Sequence, residues 1–270
     1  MGVDHRHRRN AHPLSDTFSF IGRSRGAVFV THPDRAAFLD DIEARLREKR
    51  GFSVATVNLD HLVKLRRDRR FLDAYRAQTH VVADGNPIVW LSRLAGRGVE
   101  LVPGSELIAP LSKIAARLET PVALLGATEE TLAHAAAALE ADHPGLRVVC
   151  RIAPAQGFDP DGAAADAALE ELGASGARLC FLALGAPKQE RLAARGLDRL
   201  PECGFVSIGA GLDFIAGTQV RAPRLARRLA LEWLWRLGRN PRRLAARYGA
   251  CIAILPGLAA KAVSERGQGR

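Results

Sequence analysis

The sequence predicts an α/β fold: a Rossmann-like, largely parallel sheet flanked by helices, with a C-terminal helical appendage. Three observations predict it. Short apolar runs recur along the chain as far as residue 211. Amphipathic segments of helical period lie between them. After about Gly217 the strand-like runs stop and the text becomes arginine-rich. Strands and helices that alternate at this spacing build βαβ units, hence a parallel sheet covered on both faces.

The expected strands are GAVFVT (26–31), SVATVN (53–58), HVVAD (80–84), VALLGA (122–127), RVVCRI (147–152), RLCFLALG (178–185) and FVSIGAG (205–211). The expected helices include RAAFLDDIEARLREK, HLVKLRRDRRFLDAYRA and EETLAHAAAALEADH. Residues 1–17 read as a flexible lead, 18–217 as the sheet core and 218–270 as a basic amphipathic appendage. In the appendage, Asn240 and Pro241 suit the N-cap and first position of a new helix.

Composition narrows the function classes. The chain has 270 residues, 47% hydrophobic and 25% charged, which suits a folded domain and not a disordered one. Its net charge of +10 points to an anionic partner or to a GC-rich coding bias. The cysteines Cys150, Cys180, Cys203 and Cys251 form no CxxC pair and read as small buried hydrophobes in a reducing compartment. The start MGVDHRHRRNAHPLSD is polar and lacks an apolar signal region, which argues against export. Its His5, His7 and His12 do not read as a metal site. No run reaches the roughly 18 apolar residues of a membrane span; the longest, 250–260, is interrupted by Pro256.

Ligands of parallel sheets collect at the carboxyl ends of the strands, so polar residues there are the candidates. Thr56 and Asn58 alternate along one strand end and can hydrogen-bond a sugar or phosphate; Asn58 can equally cap the helix near His61. Asp84, followed by Gly85, Asn86 and Pro87, is either a general base at the sheet rim or a turn residue before a helix. Gly126-Ala127-Thr128 is a strand-to-helix turn, able to hold a phosphate or simply capped by Thr128. In Gly185-Ala186-Pro187-Lys188-Gln189-Glu190 a lysine sits in a first helical turn, where the dipole disfavours it unless it faces an anion. Gly209-Ala210-Gly211 resembles the opening of a dinucleotide fingerprint, but Phe214 stands where its third glycine belongs.

The tail carries nine arginines between Arg221 and Arg247 against one acid, Glu232, interleaved with Leu and Trp. Arg243 and Arg247 lie four apart, on one helical face. A basic amphipathic helix with tryptophans suits a membrane surface; it would also suit nucleic acid, but no nucleic-acid motif accompanies it.

Five motifs in order, TVNLDHLV, ADGNPIVWLSRLAG, ALGAPKQE, IGAGLDFIAGTQVRAP and LEWLWRLGRNPRRLAARY, resemble the WecG/TagA/CpsF glycosyltransferases, glycosyltransferase family 26, over about residues 26–250. The resemblance implies inverting transfer from a UDP-sugar to a saccharide on polyprenyl diphosphate, in the synthesis of cell-envelope polymers or exopolysaccharides. Donors of the N-acetylmannosamine, N-acetylmannosaminuronic acid and glucuronic acid types fit. It implies that Asp84 is the base, that Thr56 and Asn58 contact the sugar, and that Gln189 lies at the site's rim. It further implies that Arg236, Arg243 and Arg247 of the appendage close over the site at the inner face of the membrane. Gly85, Asn86, Gly126, Lys188, Gly209 and Gly211 complete the expected binding set. The chain shows no DxD metal motif, so no metal or cofactor is expected, and arginines can meet the leaving diphosphate's charge. Partners are then a UDP-sugar, the lipid-linked acceptor and the membrane, without nucleic acid; a homo-oligomer stays open. Two other readings remain: a nucleotide- or NAD-binding Rossmann enzyme, and a basic membrane- or nucleic-acid-binding module. One departure stands out. Where the family usually reads Arg-Val-Thr-Gly-x-Asp-Leu, this chain has Leu101-Val102-Pro103-Gly104-Ser105-Glu106-Leu107, and Arg97 is a candidate replacement for the lost arginine.

Overall fold

A computed structural model describes residues 17–21, 27–219, 223, 232–239 and 241–268. Most of the N-terminal lead, and residues 220–222 and 224–231 of the expected appendage, lie outside the described residues.

Six strands form one parallel sheet in the order β4-β3-β8-β7-β5-β6. They are β3 (Phe52–Val57), β4 (His80–Ala83), β5 (Val122–Gly126), β6 (Val148–Ile152), β7 (Leu179–Ala183) and β8 (Gly204–Ser207). Each coincides with an expected run. The strands read as continuous Val, Leu, Ile and Phe because helices cover both faces, so neither face needs polar residues. The exception is the run at 26–31. It yields only β2 (Val28–Phe29), which pairs antiparallel with β1 (Ser19–Ile21) in a separate two-stranded sheet. Its continuation lies beside the edge strand β4: Thr31 N donates to Val81 O at 2.8 Å.

The period of two assigns side chains to layers. Phe52, Val54, Val82, Leu124, Phe181 and Val206 face one cluster. That cluster is completed by α1 (Arg35–Arg47), α5 (Gly104–Arg117), α6 (Glu129–Asp142) and α9 (Gly211–Ile215). Ala55, Val57, Val81 and Ala83 face the other side. There they meet α2 (Leu59–Leu65), α3 (Arg69–Ala77), α4 (Asn86–Leu94) and α11 (Pro241–Gln268). Further along that face, α7 (Ala163–Ala174) and α8 (Lys188–Arg199) cover Ala123, Leu125, Cys180, Leu182 and Phe205. The four cysteines are buried and free, as expected.

Helix starts follow their caps. Asp34, Asn58, Asp68 and Thr128 each accept a backbone N–H from the first turn of the helix they precede. The Asp68 cap splits the single helix expected over 61–77 into α2 and α3. Pro187 precedes α8 as expected.

The tail forms α10 (Glu232–Arg239) and α11. Asn240, the expected cap between them, lies outside the described residues. Helix α11 runs through Pro256, and its 24-residue stretch Leu244–Gly267 contains an 18-residue window of mean hydropathy 1.2, long and apolar enough to cross a bilayer by length and composition alone. This corrects the expectation that no segment reaches that length. That expectation broke the helix at Pro256, whereas the turns on either side hold despite the missing N–H. The helix is also bound to the core. Leu258 and Ala262 are buried among Phe18, Val57, Leu62 and Ile88, and Lys261 Nζ donates to Ser19 O at 2.6 Å.

Candidate active site

All six parallel strands present their carboxyl ends at one edge, and the candidate side chains gather there. Asn58 directly follows β3 and Asp84 directly follows β4. The β3–β4 register sets Val57 beside Ala83, so the two residues emerge side by side. Asn58 Nδ2 donates to an Asp84 carboxylate oxygen at 3.3 Å, while Asn58 Oδ1 accepts from His61 N at 3.0 Å. Asn58 is therefore both helix cap and partner of the acid. The Asp84 N–H is fixed on Val57 O at 2.8 Å.

Gly85 takes φ +103°, a conformation that disfavours any side chain, and nothing lies within 3.8 Å of where its Cβ would point. The acid thus sits at the start of a helix, beside a glycine that its backbone angle requires. Asn86 and Pro87 begin α4. Thr56, one strand position inside, is 4% exposed. Its methyl lies 3.3 Å from where a Cβ on Gly104, the first residue of α5, would sit.

A second group approaches from α8. Gln189 Oε1 accepts from Gly209 N at 3.2 Å, and Gln189 Nε2 donates to Glu190 Oε1 at 2.9 Å. Gln78 Nε2 donates to Glu190 O at 3.0 Å, tying α8 to the residue that ends α3. Gln189, 2% exposed, is thereby locked in one amide orientation. Lys188 opens the helix half-buried and makes no ion pair among the described residues.

The interior beneath these residues is electrostatically coupled. Burial, then the charges of Glu190 and Asp84, push the Tyr75 hydroxyl well above its ordinary pKa. Tyr75 meets His61 Nδ1 at 2.9 Å, and burial holds His61 down to about 3, hence neutral. Glu190 is fully buried, and burial raises its carboxyl to about 7. Its Oε2 has no hydrogen-bond partner among the described residues.

This pairing of acid and burial has a measurable cost. Below an unfolded pKa of about 4.5 Glu190 is protonated in both states and nothing is lost. As pH rises from 4.5 towards 7 the unfolded chain ionises first, and stability drains away. Glu190→Gln should remove that slope, with a stability gain growing to about 3 kcal/mol by pH 8 and none at pH 4. Thermal melts of both proteins from pH 4 to 8 check it; parallel curves would refute the cause.

The glycines divide by role. A Cβ on Gly126 would stand 2.5 Å from the Ala183 carbonyl, and one on Gly211 would stand 2.6 Å from Ile108 Cδ1. Both close approaches are to the protein's own strand and helix. The Gly209 N–H is engaged by Gln189, and a Cβ at Gly209 would meet nothing within 4 Å among the described residues. Thr128 accepts from Thr131 N at 3.2 Å and caps α6.

Of the tail arginines, Arg247 binds Asp60 Oδ2 at 2.8 Å. Lys64 Nζ holds the same carboxylate at 2.9 Å and also donates to Ala186 O at 3.2 Å. Burial acts to raise the Asp60 pKa, but Lys64 and Arg247 outweigh it and the net shift is downward. The tail helix is thus clamped two residues past Asn58 and, through Lys64, to the loop before Gln189. The side chains of Arg236 and Arg243 lie outside the described residues.

Leu101 takes the place of the family's arginine. It bridges to Ala83, directly before Asp84, and is 36% exposed. Arg97, the candidate replacement, donates through Nη1 to Thr17 O at 3.1 Å.

Sequence reasoning missed Asp60, His61, Lys64, Tyr75, Gln78 and Glu190 as contributors. One signal was present, since Gln189, Leu192, Ala193 and Gly196 mark the buried face of α8 at helical spacing. It also missed a group at the far end of β4, where His32, Asp41 and His80 place potential ligand atoms within 4.8 Å of one another. There Asp41 Oδ2 already receives His80 Nε2 at 2.7 Å and Arg45 Nε at 2.6 Å, so a guanidinium holds the oxygen a cation would need.

Comparison with known proteins agrees with this geometry. A family described as "Glycosyl transferase WecG/TagA/CpsF family" matches residues 25–269. A Bacillus subtilis (strain 168) protein, named N-acetylglucosaminyldiphosphoundecaprenol N-acetyl-beta-D-mannosaminyltransferase, is 25% identical over 209 residues, covering 76% of this chain and 78% of its own.

Proposed function

Because the chain belongs to the WecG/TagA/CpsF family of glycosyltransferases, we propose that it moves a sugar, with inversion, from a UDP-sugar to a saccharide carried on polyprenyl diphosphate. The sugar is of the N-acetylmannosamine, N-acetylmannosaminuronic acid or glucuronic acid type. The observation that carries the reading is the Asp84 carboxylate at the end of β4, hydrogen-bonded by Asn58 and followed by the positive-φ Gly85.

The acceptor hydroxyl attacks the anomeric carbon from the face opposite UDP. Its proton passes to an Asp84 oxygen as the new C–O bond forms. The bond from the anomeric carbon to the diphosphate oxygen breaks, and that electron pair leaves with UDP. Asn58, donating to the carboxylate, orients it without taking the proton-accepting oxygen out of use. The leaving diphosphate needs positive charge in place before the bond breaks. Lys188 at the rim is available for it, and Arg247 lies close by on the clamp at Asp60. Gln189, locked between Gly209 and Glu190, holds the Gly209 turn in place beside the site.

The same reading places the enzyme at the cytoplasmic face of the membrane, where a lipid-linked acceptor lies. The apolar length of α11 supports that position.

The test is a panel of UDP-sugars with a synthetic lipid-diphosphate saccharide, scored for UDP release and for product anomeric configuration. One donor should turn over, with inversion. Retention of configuration, or turnover by no donor in the panel, would overturn the reading.

A further inference from the structure

Helix α4 leaves the Asp84–Gly85 turn and packs beside α11, and the two helices leave a groove of ≈ 360 Å³ between them. Trp90, Leu91 and Leu94 form one wall; Ile252, Leu255 and Pro256 form the other. Trp90 is 54% exposed and Ile252 58% exposed at its mouth, so the largest apolar surfaces here are left in water. Bare apolar area of this kind costs free energy in proportion to its size and marks a binding surface.

Three features define the occupant. The wall is almost wholly apolar, its one side-chain donor being the Trp90 indole N–H, so most of the ligand segment is hydrocarbon. The volume sits at the low end of small-molecule sites, roughly 300–1,000 Å³, so a short ligand segment fills it. The groove also continues from the site. Pro87, on its lining, lies three residues past Asp84. Arg247, five residues before Ile252, lies about 7.5 Å back along the α11 axis at the cationic clamp with Lys64. An occupant therefore meets positive charge at one end and hydrocarbon along the rest.

We infer that this groove holds the isoprenoid units next to the diphosphate of the lipid-linked acceptor, with the diphosphate at the Arg247–Lys64 end and the saccharide at Asp84. The inference rests on the proposed transfer to a polyprenyl-diphosphate acceptor and assigns that acceptor's tail to named residues.

Binding without turnover tests it separately from the reaction. Farnesyl diphosphate and inorganic diphosphate are titrated into the full chain by calorimetry. The wild type should bind the farnesyl compound about tenfold or more tighter, the margin expected for burying prenyl carbons. The double variant Trp90→Ser, Ile252→Ser should lose that margin while binding inorganic diphosphate unchanged. Both residues are exposed, so the fold should persist, and Trp90→Phe should keep most of the margin. In turnover, the double variant should raise KM for a long-chain acceptor about tenfold with kcat and donor KM unchanged, as expected for lost ground-state binding. Failure of every UDP-sugar, with the farnesyl margin intact, would remove the transfer reading and leave the groove's prenyl preference standing. No farnesyl margin in the wild type overturns the inference. So does a double variant whose margin is intact while its oligomeric state or its binding to anionic vesicles changes, because the groove would then serve a second copy or the bilayer surface.

Discussion

Asp84→Asn should lower the transfer rate by a factor of about 10²–10⁴ with little change in fold or donor binding, the range expected for loss of a positioned general base. The substitution keeps the shape of the side chain. Its remaining oxygen can still accept from Asn58 Nδ2, and the backbone N–H still meets Val57 O. Gly85 keeps its φ of +103° because the residue before it does not set that angle. Only the capacity to take a proton is lost. The Tyr75 hydroxyl gives a second readout, because part of its elevation comes from the Asp84 charge. Its titration should move down in the variant even where turnover is too slow to measure. A variant that transfers within threefold of wild type would remove Asp84 from the chemistry.

The parallel sheet was legible because covering both faces leaves a signature in composition, short runs of Val, Leu, Ile and Phe ended by glycine or a polar residue. The run at 26–31 carries the same signature, yet it pairs with Ser19–Ile21 outside the main sheet. Pairing partners are set by tertiary contact, and apolar composition does not name them. The helix break at Asp68 was legible in principle, as an aspartate three residues before Phe71, but a continuous amphipathic pattern masked it. At the site, Asn58 and Asp84 were found because strand ends locate them. Their direct contact depends on the β3–β4 register. The Gln78–Glu190 link joins residues 112 apart in sequence, so no local pattern reports it. The glycines illustrate the converse. Their need for an absent side chain could be read at Gly126 and Gly211, but only the structure identifies a strand carbonyl and an isoleucine as what stands in the way.

Ending the chain after Gly217 should abolish transfer and also lower Tm by about 10 °C or more, leaving a cooperative but weakened α/β core. From sequence alone the tail reads as separable; its packing does not. Leu258 is 1% exposed and Ala262 0% exposed, and they bury against Leu62 and Ile88 on the helices that follow Asn58 and Asp84. Removing a Leu at such a position alone costs about 2–5 kcal/mol. In a domain of this size each kcal/mol is worth about 2–4 °C. Two point variants separate packing from chemistry. Leu258→Ala should lower Tm by several degrees and keep the Arg247–Asp60 clamp, so activity well below the melt should be largely retained. Arg247→Ala should leave Tm nearly unchanged, since its side chain is 45% exposed and such pairs contribute little stability. Its effect should fall on turnover, because Asp60 and Lys64 lose the cation that joins the tail to the site. Assays of all three proteins at a temperature below the truncated chain's melt decide the matter. A folded truncation that still transfers sugar would show that the strand-end residues suffice. An Arg247→Ala protein with unchanged kcat would confine the tail to packing.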